Sequence, residues 1–370
     1  MKKIVFTGGG SAGHVTPNIA LFPYFRENGY EIHYIGSEEG IEKTIIEKEK
    51  DIIYHHIRAG KLRRYFSLKN FTDIFKVIGG YFDSKKLLKE IKPDIVFSKG
   101  GFVCVPVCAA CGRLKIPVVS HESDITPGLA NRISKKFAAK VCLTFKETLK
   151  YVKPPKGIYT GTPIRGFLYC GSKQDALDLL QYGDPSKPVL LIIGGSLGSK
   201  TINNAVRENI KSLTDKFNII HFCGKNNIWQ EVPEDCAPSY RQYEFFTEGL
   251  QNMFALADII MSRAGSNSIH EFLALKKPML LIPLSGKASR GDQILNSENF
   301  KARGLCDILR EEEITPELML SKINEVYDKR DEYIKAETEA ENADGTSKII
   351  DIILETAKKA ENSGKKLKNA

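Results

Sequence analysis

No apolar run in this chain reaches the roughly 18 residues that a membrane-spanning helix needs, so the chain is not expected to cross a bilayer. It carries no signal-peptide pattern, and its eight cysteines show no regular pairing. Those two absences exclude a disulfide scaffold and point to a reducing compartment. Cys104, Cys108 and Cys111 crowd together in VCVPVCAACGRL with no histidine near them, so small buried hydrophobes explain them better than a metal site. The dinucleotide spacing G-x-G-x-x-G is also missing. The first glycine run is followed by His14 and Pro17, and no tidy acidic partner follows the second strand. What is present is an ordinary soluble composition, 42% hydrophobic over 370 residues, long enough for two domains.

Apolar runs alternate with helical patterns. Residues 2–7 (KKIVFT) read as a short buried strand that runs into Gly8-Gly9-Gly10-Ser11-Ala12-Gly13-His14, then a helix from Thr16 to about Asn28. Strands are expected at residues 31–35, 52–57, 94–97 and 117–120, with helices between them, as in a parallel doubly wound sheet. Two further polar or glycine-rich loops follow strands, Ser98-Lys99-Gly100-Gly101-Phe102 and His121-Glu122-Ser123-Asp124. His14 stands where a general base would be useful; a histidine that merely caps the helix is the alternative.

The pattern breaks at Thr160-Gly161-Thr162-Pro163-Ile164-Arg165 and restarts at residues 189–193, which lead into Gly194-Gly195-Ser196-Leu197-Gly198-Ser199 and a helix. Strands at residues 219–222 and 243–245 follow. Residues 258–296 supply two more strands, at 259–261 and 278–283, with the turn Arg263-Ala264-Gly265-Ser266-Asn267-Ser268 between them. A helix beginning at such a turn aims N–H groups at an anion, and Glu271, one turn in, suits a diol such as a ribose. An ordinary turn capped by Ser and Asn is the competing explanation. The chain thus reads as two similar α/β halves with glycine-rich loops facing each other across a cleft. Charged helices follow Glu311 and end near Ala357, and residues 358–370 are expected to be disordered.

The net charge of +9 is uneven. Between Arg58 and Lys92, ten Lys or Arg stand against three Asp or Glu, a local net of +7. Tyr65, Phe66, Phe71, Phe75, Tyr81 and Phe82 are interspersed. That mixture suits an anionic membrane surface, a nucleic-acid groove or a solvated helix face. Arg63, Arg64, Lys69, Lys85 and Lys86 are the charges placed to meet headgroups.

Seven segments, GGGSAGHVTP, SKGGFVCVP, HESDITPGLANR, TGTPIR, IIGGSLGSKTIN, SRAGSNSIHE and GDQILN, stand in an order and spacing that resembles the MurG family. These are N-acetylglucosaminyltransferases that make lipid II, and the resemblance runs from Lys3 to about Thr356. It implies a GT-B fold of two Rossmann-like domains facing across a cleft. Residues 1–165 would form the acceptor and membrane-facing domain, and 166–344 the UDP-sugar domain, with a helix near 345–357 packing back on the first. The implied reaction is inverting transfer from UDP-N-acetylglucosamine to undecaprenyl-diphosphate-linked N-acetylmuramyl-pentapeptide, for peptidoglycan synthesis. The enzyme would sit peripherally on the cytoplasmic side of the cell membrane, docked through residues 58–92, and would bind no nucleic acid.

Carried over residue by residue, His14 resembles the family's helper of the acceptor hydroxyl, and Ser11, Ala12 and Gly13 line the diphosphates. Arg165 resembles the donor-contacting arginine, Ser196 the phosphate-contacting serine, and Thr247 the backbone contact to uracil. Ser266, Asn267 and Glu271 would hold diphosphate and ribose, and Gln293 the sugar. Helix N-termini and Arg165 would balance the leaving diphosphate without an obligatory metal or cofactor. Two segments depart from the family's usual residues: Ser123-Asp124 replaces Gln-Asn, and Asp292 replaces Gln. Other UDP-sugar enzymes of this fold, a diacylglycerol glycosyltransferase or an N-acetylglucosamine 2-epimerase, are the alternatives. The basic segment argues against an epimerase, and His14, Arg165 and Glu271 together argue against a non-catalytic binder.

Overall fold

The computed structural model describes the chain apart from residues 61–68, 196–197, 247, 286–290 and 369–370 and the side chains of 69–72 and 364–368. Two compact units form, Met1–Arg165 with Asp344–Ala370, and Gly166–Ala343.

The first unit is built on β1 (Lys3–Thr7), β2 (Glu31–Ser37), β3 (Ile52–Ile57), β4 (Ile95–Ser98), β5 (Val118–Glu122), β6 (Lys140–Leu143) and β7 (Gly157–Tyr159). All pair in parallel, in the order β3-β2-β1-β4-β5-β6-β7. Six helices connect them: α1 (Thr16–Ile19), α2 (Phe22–Glu27), α3 (Ile41–Ile46), α4 (Lys69–Ile91), α5 (Cys104–Leu114) and α6 (Leu129–Ser134). Parallel strands are covered on both faces, which is why IVF and VV read as unbroken apolar runs. One face carries Phe6, Phe22, Phe25 and Phe97, the other Val5, Val96, Val107 and Val118. Cys104, Cys108 and Cys111 belong to the second cluster as buried apolar side chains of α5. Strand order reverses between β1 and β4, the place where ligands bind in open α/β sheets. The first two glycine-rich loops leave the sheet at that point.

The second unit repeats the plan with β8 (Val189–Ile193), β9 (Asn218–Phe222), β10 (Tyr240–Tyr243), β11 (Ile259–Ser262), β12 (Met279–Leu281) and β13 (Asp307–Ile308). They are all parallel, in the order β10-β9-β8-β11-β12-β13. The reversal falls between β8 and β11, whose loops are the Gly194–Ser199 stretch and the turn around Gly265. Its helices are α7 (Lys173–Leu180), α8 (Lys200–Glu208), α9 (Ile210–Lys216), α10 (Leu250–Leu256), α11 (Ser266–Ala274), α12 (Asp292–Ala302), α13 (Pro316–Asp328) and α14 (Arg330–Glu339). The chain then returns to the first unit as α15 (Thr346–Lys368), which buries Ile349, Ile350 and Ile353 in the aromatic cluster there.

Four sequence expectations need correction. The helix from Thr16 to about Asn28 is two short helices, because Pro23 lacks an N–H and its ring crowds the preceding turn. The strand expected at 243–245 is β10, three residues earlier; on a sheet edge, Arg241 and Gln242 are tolerated between two tyrosines. β6, β7 and β13 were not expected at all. The helix does not end near Ala357 but continues to Lys368. Five of the eleven residues from Lys358 to Lys368 are lysine, a good helix former, and Lys359 pairs with Glu355 one turn back.

Candidate functional site

In the first unit, β1 ends at Thr7 and the chain turns through the glycines into a 3₁₀ turn, Ala12–His14. Gly8 is held by the Tyr34 hydroxyl, which donates to its carbonyl at 2.8 Å. Gly10 N–H donates at 3.1 Å to the carboxylate of fully buried Glu42, whose other oxygen accepts from Ser37 N–H at 3.0 Å. A carboxylate reaching from α3 therefore fixes the loop's shape. The loop after β4 lies directly against it: a Cβ on Gly101, at φ +85°, would fall 2.0 Å from the Gly9 carbonyl oxygen. Only glycine permits that approach.

His14 is not a helix cap. Val15 occupies the N-cap position of α1, and the His14 ring instead meets Ser11, Oγ to Nδ1 at 3.0 Å. In the tautomer in which Nδ1 donates to Ser11, the proton-accepting lone pair of the ring is on Nε2, as a general base requires.

Beside this loop the ends of β4 and β5 carry a buried polar cluster. Lys99 is fully buried; its ammonium donates to His121 Nδ1 at 2.8 Å and to the Ser123 hydroxyl. His121 Nε2 is 3.1 Å from the Gly161 carbonyl. Glu122 accepts from Asp124 N–H at 3.0 Å and from Asn131 Nδ2 at 2.8 Å. Burial pushes the Glu122 carboxyl up to about 7, with Asp124 adding to the rise and hydrogen bonds and Lys99 opposing it. Burial likewise draws Lys99 down to about 8, against the pull of Glu122 and Asp124. The Ser123 departure thus has a structural role, as a hydroxyl partner for Lys99.

In the second unit, Gly265 is the N-cap of α11 and no side chain caps it, so capping by Ser or Asn does not explain the turn. Ser266 opens the helix and Asn267 and Glu271 follow, with Ser266 and Glu271 buried. The helix N-terminus points its positive end at the switch point. Arg263 is spent on structure: it donates to Ser199 Oγ at 2.7 Å, to the Ile282 carbonyl at 3.2 Å and to Glu311. Ser199 in turn caps α8 by accepting from Ile202 N–H. The neighbouring loops are therefore tied around α11. Gln293, in the first turn of α12, accepts from Leu284 N–H at 3.0 Å and so anchors the loop after β12.

Ser11, Ala12, Gly13 and His14 share one turn of the first unit, Ser266, Asn267 and Glu271 lie on α11 of the second, and Gln293 lies on α12. Arg165 closes the first unit's main segment, half-buried. Ser196 and Thr247 lie outside the described residues. Sequence reasoning missed Glu42, which has no motif around it. It passed over Lys99, Glu122 and Asn131 as parts of quoted segments without giving them roles; a lysine between an apolar strand and two glycines was the available signal.

The chain matches the model for the glycosyltransferase family 28 N-terminal domain over residues 4–143, and that for the C-terminal domain of the same family over residues 189–353. It is 53% identical over 352 residues to a Clostridium tetani UDP-N-acetylglucosamine–N-acetylmuramyl-(pentapeptide) pyrophosphoryl-undecaprenol N-acetylglucosamine transferase, covering 95% of this chain and 97% of that one. A crystal structure of Acinetobacter baumannii MurG superposes with a TM-score of 0.74 at 23% identity, covering 96% of this chain and all of that one. A UDP-GlcNAc 2-epimerase from Neisseria meningitidis bound to UDP-GlcNAc gives 0.66 at 16% identity, covering 97% and 100%, so the GT-B fold alone does not separate transferase from epimerase. Identity of this degree over nearly the whole chain does separate them: the chain belongs to the MurG family, within glycosyltransferase family 28.

Proposed function

We propose that this chain transfers N-acetylglucosamine from UDP-N-acetylglucosamine to the muramyl sugar of a pyrophosphoryl-undecaprenol-linked N-acetylmuramyl-pentapeptide. The observation that carries this reading is the full-length identity to the Clostridium tetani transferase, which spans both units. The acceptor hydroxyl gives its proton to His14 Nε2 while its oxygen bonds to C1 of the donor sugar. The C1–oxygen bond to the diphosphate breaks, and its electron pair leaves on UDP. A single displacement of this kind inverts C1. A sugar hydroxyl has a high pKa and needs a base within reach, which His14, oriented by Ser11, supplies. The leaving diphosphate gathers negative charge, which the α11 N-terminus at Ser266 and Asn267 and the Arg165 guanidinium balance. Glu271 takes the ribose hydroxyls and Gln293 the sugar.

No helix among the described residues is long and apolar enough to cross a membrane, so reaching a lipid-linked acceptor requires a docking surface. α4 offers one. Ile74, Phe75, Ile78 and Phe82 are exposed on it, Phe75 by 73% and Phe82 by 58%, at spacings that place them on one face. Lys76, Lys86 and Lys89 are exposed on the same helix, whereas Lys85 is half-buried. Arg58 is paired with Asp83 at 2.7 Å. Arg63, Arg64, Tyr65 and Phe66, and the side chains of Lys69 and Phe71, lie outside the description. The anionic, cytoplasmic face of the cell membrane is the surface this helix fits.

The test is turnover of purified protein with a panel of UDP-sugars and a short-tailed lipid acceptor. Product is expected only with UDP-N-acetylglucosamine together with the acceptor. Acceptor-independent isomerisation of the donor would replace this reading with the epimerase.

A further inference from the structure

Between α4, α5 and α6 lies a cavity of about 50 Å³ lined by Val77, Phe102, Val105, Leu129, Ala130 and Ile133, with Gly60 beside them. That is several times the roughly 10–15 Å³ one water occupies, yet among the described residues no lining side chain is polar. Its walls are half-buried, so the space opens to solvent and leaves apolar side chains wetted unless something covers them. The charged groups of the catalytic chemistry have no use for it. An apolar ligand does.

Its position says which one. Phe102 forms one wall, and the same ring lies against the first glycine loop: a Cβ on Gly10, at φ +84°, would sit 2.6 Å from the Phe102 ring. The cavity therefore starts one aromatic ring away from the loop that carries Ser11 and His14. Another wall is Val77 of α4, one residue before Ile78 and three after Ile74 on the exposed apolar stripe. A chain attached to a diphosphate at the glycine loop would pass Phe102, fill the cavity and emerge beside Ile74 and Ile78.

We propose that this cavity is the tail subsite of the acceptor, holding the isoprene unit nearest the diphosphate. The proposal rests on the acceptor assigned above. It makes the enzyme a reader of the lipid's first segment as well as a passenger on the membrane, and it couples α4 to the acceptor site through Val77.

The experiment compares two water-soluble acceptors that share the sugar-diphosphate and differ in the tail, a ten-carbon isoprenoid or a methyl group, in vesicle-free solution. Wild type should show a KM at least tenfold lower for the isoprenoid. Ala130→Leu, which fills the cavity, should raise that KM at least tenfold while leaving the methyl acceptor and the donor unchanged. Val77→Ala, which loosens one wall, should do the same to a smaller extent, and it serves if Ala130→Leu melts early. Calorimetric binding of a ten-carbon isoprenyl diphosphate alone should be seen with wild type and lost in Ala130→Leu. Equal KM values for the two acceptors in wild type, or an equal rise for both in the variants, overturns the proposal. So does a loss of vesicle binding in Ala130→Leu with its KM values intact, which would hand the cavity to a bilayer acyl chain. If wild type turns over neither acceptor, the acceptor assignment falls, and the calorimetric arm still decides the cavity.

Discussion

The Ser11 hydroxyl lies 3.0 Å from Nδ1 of His14, which holds the imidazole from one side. His14→Ala should lower turnover by about a hundredfold or more while donor affinity stays near normal, because a general base acts only in the transition state. Ser11→Ala removes one neutral hydrogen bond, about 1 kcal/mol, and should cost about fivefold. Steady-state kinetics with both substrates varied checks both. Unchanged turnover in His14→Ala would move the base elsewhere, with Asp124 the next candidate.

UDP-N-acetylglucosamine should raise the melting temperature, and NAD and ADP-sugars should not. Glu271→Ala leaves a ribose hydroxyl unpaired and should weaken UDP binding by about 1–3 kcal/mol, read by titration calorimetry. Chelation by EDTA should leave turnover in place. Equal stabilisation by NAD would sink the nucleotide assignment.

Stability should fall as pH rises from about 4.5 to about 7. The Glu122 carboxyl is raised in the fold, so across that window the folded protein binds a proton that the unfolded chain has released. The contribution is present below the unfolded value and lost by about 7, and its size is of the order of a few kcal/mol. Glu337, buried with neither carboxyl oxygen hydrogen-bonded among the described residues and raised to about 9, acts with the same sign and carries the decline further. Denaturant midpoints measured for Glu122→Gln at pH 5 and pH 7.5 should differ by less than those of the unchanged protein. An identical pH slope would mean that Glu122 titrates as an ordinary carboxylate.

Phe75→Ser with Phe82→Ser should reduce co-sedimentation with vesicles without lowering the melting temperature, since both rings are exposed. Binding of the unchanged protein should grow with anionic lipid, at about 1 kcal/mol per basic residue near the surface, and weaken with salt. Indifference to lipid charge would take the docking role away from α4.

The doubly wound plan was legible because parallel strands buried on two faces leave apolar runs, and Val189–Ile193 could hardly be anything else. β6 opens with Lys140, β7 has three residues, and β13 has two, one of them Asp307 held between Lys301 and Lys322. Such short strands carry too few side chains to show a period. The glycine loops were legible because close backbone approach admits no other residue at Gly101. Glu42 was not, because its partners, Ser37 apart, lie across the fold at Gly10, and nothing local marks a carboxylate that will be buried. The Lys99–Glu122 cluster failed for the same reason: its chemistry comes from burial, which strand ends acquire only when the sheet is assembled.

The return of α15 to the first unit sets an order on biosynthesis. Ile349, Ile350 and Ile353 complete a core begun at Ile4 and Phe6, yet the ribosome delivers them only after all of Gly166–Ala343. At ordinary elongation rates that gap is on the order of ten to forty seconds. Throughout it, the apolar side of β4, β5 and β6 that α15 covers has no lid, and a nascent chain in this state is a client for whatever chaperone waits at the exit tunnel. The unit that is translated first is the one that finishes last.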